Sequence, residues 1–186
     1  MKRRSLLAGL SMAAGLLMSL PLATAAQAQG NLRIAMTVAD LPTTTGMPSQ
    51  GGEGMRFVGY PVFEPLVAWE LRKNTDQRAG VGPGLASSWE LDPADNNRWI
   101  FHLREGVRFH DGSPLNADVV IWNLERFWDD QAPHFESAAA GIAQGRVPQM
   151  SHWEKLDDMT VAIHTKTPSS YFPQGLTQFP VASKAQ

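Results

Sequence analysis

The sequence predicts an α/β fold, on three observations. Arg98 to Arg104 alternates, with Trp99, Phe101 and Leu103 on one face and Ile100, His102 and Arg104 on the other, as in a strand with one buried side. After Asn116, Val120, Leu124 and Phe127 recur at helical spacing, with Ile121 and Trp128 beside them. A second extended stretch then follows within Leu156 to Thr167, so strands and helices are mixed along the chain.

The first residues stand apart from that fold. MKRR is a basic start, Leu6 to Leu22 is uncharged and apolar, and Ala26-Gln27-Ala28 is a small-x-small cleavage pattern. Together they read as a secretory signal peptide over residues 1–28. A membrane anchor is the competing reading, but the apolar run is at the short end for a span and the small-residue exit follows at once. Arg3-Arg4-Ser5-Leu6-Leu7 partly matches a twin-arginine signal, which leaves the export route open. Losing Lys2, Arg3 and Arg4 takes the formal charge from −2 to −5. With no cysteine the exported protein cannot use disulfides and must be held by packing. There is no basic excess, so nucleic acid is not an expected partner.

In the mature chain, Leu32, Ile34, Met36 and Val38 alternate with Arg33, Ala35 and Thr37 and predict a strand. Asp40 to Gly54 carries two prolines and four glycines and reads as a long loop. A short helix over Met55 to Tyr60 is expected to stop at Pro61. A strand over Leu66 to Glu70 is kept from starting earlier by Pro65. AGVGPGLASSW has phosphate-loop composition without the Gly-Lys-Ser/Thr ending, so a turn is expected there.

Glu105-Gly106 should turn the chain so that Val107 to Phe109 pairs back as a hairpin. Asp111-Gly112-Ser113-Pro114 is a second turn. Asn116 is a favoured N-cap, Asp118 suits the first helical turn, and Leu115 and Val120 sit at the staple positions, so a helix should run to about Asp129. GIAQGRVPQ reads as loop. In Leu156 to Thr167, Asp157-Asp158 turns and Val161 and Ile163 point inward.

His110-Asp111 raises the question of chemistry. An adjacent His-Asp pair occurs in metal-dependent phosphohydrolases, but further ligands would have to converge on it. His102 is eight residues back, and His134, His152 and His164 are scattered singly. Asp at the start of a turn has its own reason to be there, since it bonds its own backbone. No Gly-x-Ser-x-Gly elbow is present and no carboxylate pair is singled out. The six tryptophans suit core or hairpin cover, and three of the eight methionines lie in the signal segment. No catalytic residue, metal ligand or cofactor is therefore expected.

Four ordered blocks carry a resemblance: PVFEPLV, LASSWE, WIFHLREGVRFHDGSPLNADVVIWNLERF and LDDMTVAIHTKTP, spread from Pro61 to Pro168. They resemble the family 5 extracellular solute-binding proteins, the periplasmic receptors of peptide, dipeptide and nickel ABC importers. The resemblance implies a type II periplasmic-binding-protein fold of two lobes that close on a ligand, with no catalysis. It implies that residues 29–60 open a large lobe, 61–168 make most of a small one, and 169–186 return towards the large lobe. It makes the His110–Asp111 stretch a fold signature. Family members are much longer, so the chain is expected to be a truncated, N-terminal portion, and no substrate anchor can be carried over to it. Such a portion is expected to bind ligand weakly or not at all and to protect Leu32–Val38 poorly.

Candidate ligand contacts come from the residues themselves: Gly51, Gly52, Glu53, Gly54, Met55 and Arg56. Glycines admit close backbone approach, Glu53 suits an amino group and Arg56 a carboxylate, as a peptide's two ends require. The expected protein is a periplasmic, monomeric receptor that captures peptides and delivers them to an inner-membrane ABC permease. The alternatives are a nickel-chelate or other small-solute receptor, a secreted metal-dependent hydrolase using His110 and Asp111, and a fragment without function.

Overall fold

The computed structural model describes residues 31, 33–40, 46–47, 53–71 and 79–185. The signal segment lies outside them, and among the described residues no helix is long and apolar enough to cross a membrane. Contacts divide the chain into Met1–Ile34 and Ala35–Gln186, and every described helix and strand belongs to the second unit.

The expected strand over Leu32–Val38 is not formed among its described residues. Arg33 to Thr37 has no regular structure, and Val38–Asp40 is a turn of 3-10 helix. Val38 is 86% exposed and Ile34 40%. An alternating pattern becomes a strand only with a hydrogen-bonded neighbour, and none of the described strands pairs with it.

Met55–Gly59 forms a wide π-turn that runs straight into the one-turn helix α1 (Tyr60–Val62). The helix thus passes Pro61 instead of ending before it. Tyr60 N–H bonds Met55 O and Phe63 N–H bonds Gly59 O, so neither closing bond requires the N–H that Pro61 lacks. Strand β1 (Glu64–Pro65) follows, and Pro65 lies inside it. The pairing is a two-residue edge contact, where a missing donor is tolerated. Strand β2 (Val67–Trp69) pairs antiparallel with β3 (Val81–Pro83). The glycine-rich stretch read as a turn is therefore mostly strand. Gly84 shows why glycine is needed there: a Cβ would lie 2.3 Å from the Pro65 carbonyl oxygen.

The centre is a four-stranded antiparallel sheet in the order β4-β5-β7-β6, with β4 Ala86–Leu91, β5 Arg98–Leu103, β7 Thr160–Thr165 and β6 Met150–Asp157. The alternation in β5 holds, with Phe101 and Leu103 buried. Val161 and Ile163 of β7 point inward, as expected. Because β5 is already flanked by β4 and β7, Val107 to Phe109 cannot pair back on it as a hairpin. It closes on Ser113–Leu115 through one bridge, Arg108 to Pro114. Strand β6 carries little alternation, with most positions exposed, so its sequence gives no strand signal.

Helix α2 (Ala117–Trp128) is capped by Asn116, whose side chain accepts from Val119 N–H at 3.0 Å. Val120, Leu124 and Phe127 are fully buried, and the helix lies against β6 and β7. Helix α3 (Ser137–Arg146) extends through most of the stretch expected as loop. Gly141 and Gly145 weaken its propensity, but Ala139, Ala140 and Ala143 are small enough to seat it close on α2, and that burial wins. Helix α4 (Phe172–Gly175) leads to β8 (Pro180–Val181), which returns to pair antiparallel with β1. Phe101 meets Phe172 edge-on at 6.5 Å, and Phe127 meets Phe179 at 6.0 Å, tying the return to the sheet and to α2.

Candidate functional site at the strand crossing

The signature turn is built by its own side chains. Gly112 has φ +84°, a conformation that suits glycine, and lets the chain reverse after Asp111. The Asp111 carboxylate accepts from Ser113 N–H at 2.8 Å and Ser113 Oγ–H at 2.6 Å. Its other oxygen accepts from Ser183 Oγ–H, on the chain just past β8. The Ser113 hydroxyl, that of Ser183 and the Ser113 amide hold the Asp111 carboxyl well below the usual range, at about 2. Asp111 is thus committed to a turn and a returning strand. Among the described residues no group of three or more His, Cys, Asp or Glu side chains could hold a metal.

Helix α2 makes a second connection to the same strand. Asn123 is fully buried, one turn from Val119 and Val120. Its Nδ2 donates to Ala182 O at 2.8 Å and to Val119 O at 2.9 Å, while Oδ1 accepts from Ala182 N–H at 3.0 Å. The side-chain amide thereby makes both bonds that a neighbouring strand would make to Ala182. Arg126, 3% exposed, lies beside it with its guanidinium 4.5 Å from the centre of the Trp122 ring. Burial pushes the Arg126 pKa down and the Glu136 charge opposes that. Sequence reasoning singles out neither Asn123 nor Ser183. Asn123 does carry a signal, a polar residue on the apolar side of an amphipathic helix. Ser183 carries none, because its partner Asp111 is 72 residues away.

Beside this network lies a cavity of about 130 Å³ between β1, the Val107–Asp111 segment and the returning strand. Phe63, Leu85, Phe109 and Val181 give it apolar walls, and Glu64 and Arg108 are at its polar margin. Glu64 is paired with Arg104 at 2.7 Å, and Arg108 Nη1 donates to Gly112 O at 2.8 Å.

The residues expected to touch ligand are distributed differently. Gly51 and Gly52 lie outside the described residues. Glu53 and Arg56 are one helical turn apart, both exposed, and bond each other at 3.2 Å. Gly54 and Met55 are buried, Met55 to 1% exposure. A side chain at Gly59 would lie 2.6 Å from Met55 Sδ, so the glycine makes room for it. The structure brings Glu53 and Arg56 together and turns Met55 inward.

Residues 80–185 match the family described as bacterial extracellular solute-binding proteins, family 5, middle region. The chain belongs to that family. Among family 5 relatives, di/tripeptide-binding protein 4 of Pseudomonas aeruginosa is 36% identical over 121 residues, covering 60% of this chain and 22% of its own length. The periplasmic oligopeptide-binding protein OppA of Salmonella typhimurium is 29% identical over 176 residues, covering 86% of this chain and 32% of its own. The chain therefore spans about a fifth to a third of these two relatives. Among solved structures, a dipeptide-binding protein from Pseudoalteromonas sp. SM9913, in complex with Met-Leu, aligns with TM-score 0.64 at 20% identity, over 78% of this chain and 30% of that one. NikA from Brucella suis, in complex with Fe(III)-EDTA, aligns with TM-score 0.53 at 30% identity, over 67% and 23%. The fold is that of part of a type II periplasmic binding protein, as the family 5 signature implied.

Proposed function

We propose that this chain is part of a periplasmic receptor that captures peptides for an ABC importer. The observation that carries the reading is the family 5 match across residues 80–185, with peptide-binding proteins among its relatives. Residues 1–28 act as the export signal, and the mature protein works as a monomer with an inner-membrane permease. Residues 29–60 open the large lobe, 61–168 make most of the small one, and 169–186 lead back towards the large lobe. Ligand capture is a population shift, because a peptide that touches both lobes favours the closed arrangement by the contacts it makes only there.

Glu53 and Arg56 serve the peptide's amino and carboxylate ends, with Gly51 and Gly52 giving backbone approach. Their mutual ion pair does not prevent this. An exposed pair contributes only about 0–1 kcal/mol, so a zwitterionic ligand replaces it at small cost. Gly54 and Met55 set the position of the helix that presents the two charges. The test is calorimetric titration of the full chain with Met-Leu and with tripeptides. Saturable binding that weakens in Arg56→Gln supports the reading, and binding of Fe(III)-EDTA without binding of any peptide overturns it.

The 30% identity to NikA supports a second reading, a receptor for a metal chelate. Titration with Fe(III)-EDTA separates the two. A hydrolase at His110–Asp111 is disfavoured by the commitment of Asp111 to Ser113 and Ser183.

A further inference from the structure

Among the described residues the returning strand has little backbone pairing of its own. Strand β8 is two residues long and faces two residues of β1, with Glu64 opposite Val181 and Pro65 opposite Pro180. Two residues, one of them a proline on each side, are far short of an independently stable pairing. What continues the hold beyond β8 is side-chain chemistry at consecutive residues. Asn123 takes both backbone groups of Ala182, and Asp111 takes the Ser183 hydroxyl. Ser183 Oγ in turn accepts from Ala185 N–H at 3.1 Å, and Ser113 Oγ lies 3.1 Å from it. Val181, Ala182 and Ser183 also line the 130 Å³ cavity, so the clamp fixes one wall of it.

The geometry points to Asn123 and Asp111 as positioning residues that clamp residues 181–183 to this body and so preorganise the cavity wall. The flexing needed for ligand capture is then excluded from this stretch of the return. That consequence rests on the proposed receptor function, whereas the clamp itself does not. Asn123 acts as a substitute strand edge, and Asp111 as a charge-assisted hydrogen-bond latch one residue further on. Each acts through the returning strand.

The test is residue-resolved amide hydrogen exchange on the full chain, without ligand. In Ser183→Ala, exchange at Ala185 should rise about tenfold or more, the effect of losing one hydrogen bond. In Asn123→Ala, Ala182 should rise by at least as much. Amides of Phe101, Val161 and Ile163 should stay slow in both. If Asn123→Ala does not fold, Ser183→Ala and Asp111→Asn, at the edge of the body, read the same latch. Unchanged exchange at Ala182 and Ala185 overturns the clamp, as does an equal rise through the central sheet, which would mark a general loss of stability. A chain that shows the local effect and binds Fe(III)-EDTA but no peptide keeps the clamp and loses the peptide-receptor reading.

Discussion

At the residue scale, Asp111 has a measurable acid signature. A carboxyl held at about 2 in the folded protein, against about 3.9 in an unfolded chain, stabilises the fold above about pH 4. That contribution is lost as pH falls through about 2. The Ser113 amide proton should therefore titrate with a midpoint near 2 by NMR and become flat in Asp111→Asn. Asn123→Leu leaves both polar groups of Ala182 unpaired, so urea unfolding should show a loss on the order of 3 kcal/mol. Gly84→Ala drives a methyl into the Pro65 carbonyl and should cost about 1–3 kcal/mol or more by the same measurement. Of these roles, the Asp111 turn is legible because an Asx turn is a local device. The partner at Ser183 is not, because a contact between residues so distant in the chain leaves no trace in spacing.

At the scale of elements, legibility follows how far each one depends on its neighbours. Helix α2 and strand β5 are readable because their own periodicity and caps specify them. Helix α3 is hidden because its seat on α2 outweighs its glycines, and β3 because Gly82 and Gly84 look like turn residues until their close approach to the Glu70 side chain and the Pro65 carbonyl is seen. The Val107–Phe109 hairpin is excluded for a tertiary reason, the prior occupation of both edges of β5. Gly141 is exposed, and a Cβ there would meet nothing within 4 Å, so Gly141→Ala should raise stability by about 0.5–1 kcal/mol in thermal or urea unfolding. On the outer face of the sheet, Arg98 bridges Asp92 at 2.6 Å and Glu154 at 2.7 Å, tying the end of β4 to β6. Arg98→Met should lower stability by about 1 kcal/mol, and less in high salt.

At the scale of the whole molecule, the fold class and family are both in the sequence, since four ordered blocks carry them. The proposed ligand contacts are less legible, because a glycine-rich loop names residue types that can approach a ligand without saying which way they face. A ligand that binds the folded chain alone stabilises it by mass action. Under the proposed peptide capture, a peptide at a hundredfold excess over its Kd should add about 2.7 kcal/mol to the unfolding free energy. Differential scanning calorimetry of the full chain with and without Met-Leu measures this directly.

The pairing of β1 with β8 also bears on ancestry and engineering. Because Glu64 faces Val181, residues 64 and 181 lie side by side, and everything between them is a cassette with adjoining ends. A cassette of that kind can be gained, lost or transplanted through two neighbouring points of a host without threading the host's own core. Joining residues 64 and 181 by a short linker and opening new termini at the Glu105–Gly106 turn should give a circular permutant that keeps the same sheet.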